Sequence, residues 1–270
     1  MDIDEVIVRF ASNSQPNTVY DVGDFATMYT RLEHTLIKEA ILGLHDFVLS
    51  WLCERYQRSD FTLDIVNGSW KEEEHSQLTT HGRSALARLL DNVVDNTYIV
   101  THGCIYRQCV GVPMGGSSST ELATLYCTYR ELLFVRSTGI ALRGIRWIDD
   151  IIYARSLQDV SVLHQINYGL QFGSSELNLA KANFVGITTT NEDPPFTCVY
   201  DKRLDFECDV IRLPHASSAL ATHTASAVVC GKLCRAWGLS SSRAAFAEQA
   251  CIATLTHTGR NGTLSSIKKG

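Results

Sequence analysis

Residues 145–154 read Ile-Arg-Trp-Ile-Asp-Asp-Ile-Ile-Tyr-Ala, and the two apolar runs in this stretch predict two short strands joined at adjacent aspartates. Asp149 and Asp150 carry like charges, which repel each other and lose solvation when they are placed together. A divalent cation relieves both costs, and Mg²⁺ takes carboxylate oxygens together with substrate phosphates. A plain hairpin turn with two exposed aspartates is the alternative, and this stretch alone leaves both interpretations open.

A second chain segment offers a further carboxylate. The run Thr18–Val22 is β-branched and aromatic, which predicts a strand, and Asp24 lies at its end. A site that clamps two metal ions about 4 Å apart needs carboxylates from at least two segments. On composition alone, Asp21 is as good a candidate as Asp24.

A glycine-rich loop, Gly-Val-Pro-Met-Gly-Gly at residues 111–116, precedes a helix that we expect to run to about Val135. Glycines let the backbone approach a ligand closely, and a helix N-terminus favours anions. The stretch Ser-Ser-Thr-Glu at residues 118–121 predicts a capping box for this helix. A turn that simply needs glycine and proline explains the loop equally well.

The remaining pattern predicts an α+β fold, in which helices pack on one face of an antiparallel sheet. Residues 1–17 are interpreted as a short lead-in, and residues 56–82 as a polar loop or insertion. The other predicted elements are helices at 32–51, 85–94 and 157–170, a hairpin at 98–106, strands at 183–190 and 196–200, and a mostly helical end from about residue 214.

Composition and charge set limits on the partners. With 24 basic and 29 acidic residues the formal net charge is -5, which argues mildly against a nucleic-acid partner. A basic groove can still sit on an acidic protein. The nine cysteines include no Cys-x-x-Cys pair and favour free thiols in a reducing compartment. No secretory signal or apolar run of about 20 residues occurs, so we expect an intracellular protein without a membrane partner.

Four segments, in order, resemble the sequence boxes of Penelope-like reverse transcriptases over roughly residues 18–260. Residues 24–30, Asp-Phe-Ala-Thr-Met-Tyr-Thr, resemble the family's Asp-x-x-x-Leu-Tyr-Thr box. Residues 106–115, followed by Ala123, Leu125 and Glu131, are similar to the next box. This likeness favours Asp24 over Asp21.

The two later boxes complete the resemblance. Residues 146–150 look like the family's Arg-Tyr-x-Asp-Asp hairpin, with Trp147 where tyrosine is usual. Residues 200–203, Tyr-Asp-Lys-Arg, with Asp205, Phe206 and Pro214 after them, resemble a further box. The resemblance implies a reverse transcriptase from a retroelement, with a polymerase palm over residues 1–195 and a thumb-like region over residues 196–270.

The resemblance also implies roles for single residues. Asp24, Asp149 and Asp150 would be the catalytic carboxylates and would bind two Mg²⁺ ions, which Mn²⁺ could replace, with the backbone carbonyl of Phe25 as a further ligand. Tyr29 would be the aromatic gate that crowds a ribose 2′-hydroxyl, although core packing is an equal role for it. The remaining implied nucleotide contacts are Met114, Gly115 and Lys181, and the implied nucleic-acid contacts are Gln108, Lys202 and Arg203.

The implied partners are an RNA template, a DNA primer and deoxynucleoside triphosphates. Only 23 residues precede Asp24, fewer than the family's fingers need, so we expect the remaining parts to be truncated or encoded elsewhere, and in the second case a separate chain supplies the fingers. A domesticated, non-catalytic domain that binds RNA or a protein partner is the alternative. A two-metal nuclease is a weaker third hypothesis, because it does not explain Tyr29 or the glycine-rich loop.

Overall fold

The computed structural model describes eight helices and twelve strands within residues 3–58, 61–64, 69–72, 82–158, 161–172, 176–192, 196–200 and 222–259. The chain divides into two compact units. Unit 1 consists of Met1–Gly23, Arg143–Val160 and Ser175–Gly270, and unit 2 consists of Asp24–Leu142 and Ser161–Ser174. The predicted division into a palm and a thumb-like region at residue 195 stays a prediction.

The main sheet of unit 1 is built on the strands β1 (Tyr20–Ala26), β6 (Ile145–Trp147), β7 (Asp150–Ala154) and β9 (Glu176–Leu179). β6 and β7 form an antiparallel hairpin, and β7 is the sheet neighbour of β1. β9 pairs antiparallel with β1 through Tyr20 and Leu179. The last four residues of β7 are all buried, as expected for a strand with neighbours on both sides and both faces covered.

The other described residues of unit 1 form a three-stranded antiparallel sheet and three helices. Val185 and Gly186 form the turn between the first two strands of this sheet, and both have positive φ, as tight hairpin turns require. The elements are β10 (Lys181–Phe184), β11 (Ile187–Thr190), β12 (Thr197–Val199), α1 (Ile3–Asn13), α7 (Thr222–Leu239) and α8 (Arg243–Gly259).

One apolar cluster holds unit 1 together. It joins α1, both sheets and the end of α7, and its members are buried to at least nine tenths of their surface. The cluster consists of Ile7, Phe10, Tyr20, Ile145, Ile152, Ala154, Ala182, Phe184, Ile187 and Leu239.

Unit 2 is mainly helical. Its longest helix packs against two others, and Gly43 of that helix lies directly under the ring of Tyr129. The helices are α2 (Met28–Arg31), α3 (His34–Tyr56), α4 (Gly82–Asp95), α5 (Ser119–Thr138) and α6 (Ser161–His164). The strands are the pairs β2 (Phe61–Asp64) with β3 (Ser69–Glu72) and β4 (Tyr98–Thr101) with β5 (Cys104–Arg107), and β8 (Gln171–Phe172), which pairs with the last two residues of β1.

The α+β class with an antiparallel sheet is confirmed, as are the helices at 32–51 and 85–94 and the hairpin at 98–106. The predicted lead-in was wrong, because Ile7, Phe10 and Ala11 are spaced for one helix face and form the buried side of α1. Part of the predicted polar loop forms the β2–β3 hairpin.

Three further expectations were wrong. The predicted helix at 157–170 is only the four-residue α6, because Ile166 and Tyr168 are buried at the alternate spacing of an extended chain. The predicted strand at 183–190 is a hairpin. The capping box does not form, since the N-cap residue of α5, Ser118, makes no side-chain cap hydrogen bond. Among the described helices, none combines the length and apolarity needed to cross a bilayer.

Candidate active site

The β6–β7 hairpin carries two of the predicted catalytic carboxylates at its tip. Trp147 pairs with Asp150 across the strands, and Ile148 and Asp149 form the turn between them. Ile148 has a φ of 59°, which is strained for a β-branched residue. The Arg146 guanidinium donates a hydrogen bond of 3.3 Å to the carbonyl of Ile148 and supports this turn. Both aspartates are half-buried.

Asp150 also lines a cavity of about 460 Å³ inside unit 1. Tyr200 contributes to its wall, and α7 contributes the basic side chains Lys232 and Arg235. Arg235 lies 3.5 Å from the carboxylate of Asp4. Cationic side chains beside a carboxylate suit a cavity that receives an anionic ligand together with a metal ion. The sequence analysis did not single out these two cationic side chains.

Asp24 lies in β1 and is half-buried. Its Oδ1 atom is buried and has no hydrogen-bond partner among the residues that the structure describes. A buried carboxylate oxygen without a partner carries a desolvation cost, which is why such atoms in folded proteins nearly always have a ligand or donor. The unpaired oxygen fits a cation ligand.

Asp21 differs from Asp24 in this respect. Its side chain is 1% exposed, and its Oδ2 atom accepts a 2.8 Å hydrogen bond from Nε of Arg155. Its Oδ1 atom accepts a 2.9 Å hydrogen bond from the backbone N–H of Asn178. Both carboxylate oxygens are therefore used in structural contacts, and the geometry supports Asp24 as the candidate ligand.

Asp24, Asp149 and Asp150 suit a metal ion because all three carry carboxylate oxygens. Asp149 and Asp150 belong to unit 1, and Asp24 is the first residue of unit 2. Within the described part of the chain, no group of three or more His, Cys, Asp or Glu side chains has an arrangement that could hold a metal ion. The donor set of carboxylates, one of them with an unpaired oxygen, is nevertheless the kind that hard cations take.

In unit 2, Tyr29 and the glycine-rich loop are in direct contact. The backbone N–H of Val112 donates a 2.7 Å hydrogen bond to the carbonyl of Tyr29, and that of Gly111 donates one of 2.7 Å to the carbonyl of Leu32. The Tyr29 hydroxyl lies 3.4 Å from Oγ1 of Thr120 in α5. Two segments that the sequence analysis singled out, residues 24–30 and 106–115, are therefore in contact with each other.

Gly111 is required by this contact. Its φ is +80°, and a Cβ at this position would lie 2.5 Å from the carbonyl oxygen of Tyr29 and 2.9 Å from Cα of Thr30. Both neighbours are backbone atoms, which cannot move aside as a flexible side chain can. The close approach of loop and helix α2 therefore depends on the absence of a side chain at residue 111.

The other loop residues are more open. Met114 is 73% exposed. Gly115 has a φ of +84° with nothing near its Cβ position, so the tip of the loop faces solvent. Gln108 donates through Nε2 to the carbonyl of Val110 at 3.0 Å, while its Oε1 atom is buried and has no hydrogen-bond partner in the described part of the chain.

Phe25 is a core residue by its side chain. Its ring packs edge-on against the rings of Tyr168 and Phe172, with centroid distances of 4.7 Å and 5.3 Å. Its backbone is paired with Phe172 in the β1–β8 register, and the predicted role of its carbonyl as a metal ligand stays a prediction.

Of the three predicted cationic contacts, Lys181 lies within the described residues and the other two do not. Lys181 is the exposed first residue of β10 and pairs with Thr190 in the sheet register. Lys202 and Arg203 lie outside the described residues, so their predicted role stays a prediction.

His34, which the sequence analysis missed, contacts the glycine-rich loop. Its Nε2 atom lies 2.8 Å from the carbonyl oxygen of Gly111, and its Nδ1 atom lies 3.5 Å from Oδ1 of Asp95. A hydrogen bond from Lys38 holds the pKa of Asp95 below its ordinary value, so Asp95 presents a carboxylate to the imidazole. No sequence signal distinguishes His34 from any other histidine at the start of a helix.

No family model and no curated protein matches this sequence. Among solved structures, telomerase from Candida albicans in complex with a TWJ fragment of telomeric RNA is similar with a TM-score of 0.59 and 12% identity, covering 99% of this chain and 45% of that one. The RNA-dependent RNA polymerase of a human picobirnavirus gives a TM-score of 0.58 and 12% identity, covering 95% of this chain and 45% of that one. The chain spans less than half the length of these neighbours, and it has the α+β fold of a nucleic-acid polymerase.

Proposed function

We propose that this chain is the core of an RNA-directed DNA polymerase, a reverse transcriptase of the Penelope-like type encoded by a retroelement. The observation that carries the proposal is the unpaired buried oxygen of Asp24. Asp24 lies in β1, and β1 is the sheet neighbour of β7, which begins at Asp150. These are the two segments from which a two-metal site would take its carboxylates.

Asp24, Asp149, Asp150 and the carbonyl of Phe25 would hold two Mg²⁺ ions, or Mn²⁺ in their place. When bound, such ions lower the pKa of the primer 3′-hydroxyl and stabilise charge on the transferred phosphoryl group. Asp149 lies in the turn directly after Ile148, whose strained φ of 59° is maintained by the hairpin around it.

The residues of unit 2 would select the nucleotide. Tyr29 is fixed at its carbonyl by Val112 and lies within reach of Thr120 at its hydroxyl, so its ring is held in one place to crowd a 2′-hydroxyl. Met114 and Gly115 would lie beside the new base pair.

The other predicted contacts complete the proposed site. Lys181 would donate a proton to the departing pyrophosphate. Gln108, Lys202 and Arg203 would contact template or primer.

The proposed partners follow from the same reasoning. The similar structures are a telomerase with bound telomeric RNA and an RNA-dependent RNA polymerase, which supports RNA as the template. The proposed substrates are an RNA template, a DNA primer and deoxynucleoside triphosphates. Fingers supplied by a separate chain are part of the proposal.

Primer extension tests the function. The chain is incubated with an RNA template, a DNA primer, dNTPs and Mg²⁺, beside the Asp149→Ala protein. We expect extension only by the unaltered chain, because removing one carboxylate removes ligands from the proposed metal ions. Substantial extension by the Asp149→Ala protein would rule out this assignment.

The second candidate is a non-catalytic domain that binds RNA or a protein partner. The lack of a three-residue metal cluster within the described ranges favours a non-catalytic role, and of the two partners the formal net charge of -5 favours the protein. RNA binding that is unchanged by EDTA and by Asp149→Ala, without extension, would support this candidate over the polymerase.

A further inference from the structure

The glycine-rich loop is attached to the segment around Tyr29 through its backbone. Gly111 and Val112 donate to the carbonyls of Leu32 and Tyr29, and Val110 forms an isolated antiparallel bridge with Glu33. The hydrogen bond between His34 and the Gly111 carbonyl adds a side-chain contact to this set, at 2.8 Å. It is therefore a contact that substitution can remove while the backbone contacts stay chemically intact.

The imidazole of His34 is held from its other side as well. The side chain is 11% exposed, and its Nδ1 atom faces the carboxylate of Asp95 at the end of α4. Lys38 donates to the other oxygen of that carboxylate at 2.5 Å, and Nε of Arg107 donates to the Asp95 carbonyl at 2.7 Å. The ring is thus fixed in orientation, with Nε2 directed at Gly111.

We propose that His34 is a positioning residue for nucleotide selection, which acts by holding the Gly111–Gly116 loop against Tyr29. This inference rests on the proposed polymerase function. Gly111 has no side chain, so the loop approaches Tyr29 closely and is joined to this segment by backbone hydrogen bonds and by the His34 contact. Loss of the His34 donor would leave the Gly111 carbonyl without its side-chain partner and let the loop and Tyr29 separate.

Two substitutions of His34 test whether its hydrogen bond to the Gly111 carbonyl holds the loop in place. One substitution keeps a donor within reach of that carbonyl and the other does not. In His34→Gln the amide nitrogen can take the place of Nε2 and donate to the Gly111 carbonyl. In His34→Asn the amide is one carbon shorter and cannot reach that carbonyl. Tyr29→Val, which removes the proposed gate, sets the upper limit of the selectivity effect.

The experiment has two readouts on the full chain. The first is hydrogen exchange of the backbone amides of Val110, Gly111 and Val112, which needs no catalysis. The second is the ratio of dNTP to NTP incorporation in primer extension. For His34→Asn we expect amide exchange about five- to tenfold faster and a selectivity ratio lower by a similar factor, since one hydrogen bond of about 1 kcal/mol is lost. His34→Gln should stay close to the unaltered protein in both.

The outcomes distinguish the inference from the proposed function. Unchanged exchange and selectivity in His34→Asn, with an active unaltered chain, would overturn the inference and leave the polymerase assignment standing. Equal losses in His34→Gln and His34→Asn would overturn it too, because the donor would not be what matters. If the unaltered chain shows no aspartate-dependent extension, the proposed function fails and the selectivity role fails with it, while faster exchange in His34→Asn would still support the positioning of the loop.

Discussion

At the scale of single residues, Asp21 and Asp24 show what a sequence can and cannot decide. Both are aspartates at the same predicted strand, and composition leaves them equal. The structure separates them because Asp21 accepts a hydrogen bond from Arg155, which is 134 residues away in the chain, whereas Asp24 Oδ1 has no donor within the described ranges. Such a long-range partner has no local signature, and the same is true of the contact between His34 and Gly111.

The first prediction compares these two residues. Asp21→Asn should lower the free energy of unfolding by about 2 kcal/mol, because it breaks the ion pair between Asp21 and Arg155. The loss is smaller than for a fully buried pair because the Arg155 side chain is partly exposed to solvent. Asp24→Asn should abolish primer extension and leave the unfolding free energy within about 0.5 kcal/mol of the unaltered value or above it. Urea unfolding and primer extension measure the two effects. Equal stability losses for both variants would contradict the assignment of separate roles.

At the scale of elements, local patterns predicted several helices and hairpins of the described residues but missed helix α1, the β2–β3 hairpin and the turn at Val185. The aspartate hairpin was predicted because its two strands are strongly apolar. The hairpin at 181–190 was not, because its turn begins with Val185, a residue that disfavours positive φ and gives no turn signal. Tertiary packing, not local preference, sets such turns.

The second prediction concerns the turn of the aspartate hairpin. Ile148→Gly should raise the free energy of unfolding by about 1 kcal/mol, because glycine accepts a φ of 59° without strain. Ile148→Val keeps the branched Cβ and serves as the matched control, with no such gain. Urea unfolding of the two variants tests this, and a loss of stability in Ile148→Gly would mean that the turn is not strained.

The third prediction separates backbone strain from close approach within the glycine-rich loop. Gly111 and Gly115 both have positive φ, but only Gly111 has backbone atoms against its Cβ position. Gly115→Ala should cost about 1 kcal/mol of unfolding free energy, and Gly111→Ala about 3 kcal/mol. Thermal or urea unfolding checks the difference. Equal losses of unfolding free energy in the two variants would show that the backbone at Gly111 does not lie in close contact with Tyr29.

At the scale of the whole molecule, the two units are interleaved along the chain. The chain passes from one unit to the other four times, after residues 23, 142, 160 and 174. The sequence predicts the order of the elements but not which distant segments assemble together. The α+β class follows from that order, whereas the division into units depends on pairings such as Phe25 with Phe172.

The fourth prediction concerns the pH dependence of stability. Burial alone would lower the pKa of Lys38, but hydrogen bonds to Asp91 and Asp95 outweigh it and raise the pKa above 10.5. The Lys38 hydrogen bond lowers the pKa of Asp95 below 3.8. The pair therefore stabilises the fold between about pH 4 and pH 10. Its contribution is lost as the pH falls through the folded pKa of Asp95 or rises through that of Lys38.

Urea unfolding between pH 3 and pH 11 measures this contribution. In Lys38→Met both the acid and the alkaline decline in unfolding free energy should become shallower. Glu5→Gln is the control, because the Glu5–Arg9 pair is exposed and contributes little. An unchanged profile in Lys38→Met would show that this pair does not set the limits of stability.

The attachment of the glycine-rich loop to Tyr29 is made mainly of main-chain atoms. Main-chain hydrogen bonds are indifferent to the identity of most side chains, so nearly every residue in this arrangement can be exchanged while its geometry is inherited. Gly111 and His34 are the exceptions, since Gly111 must lack a Cβ and His34 contacts the loop through its side chain. A sequence comparison therefore finds little residue identity in this segment, whereas a structure comparison still detects the shared backbone geometry. The fold of such a protein can therefore be recognised by structure comparison after its sequence has diverged beyond recognition.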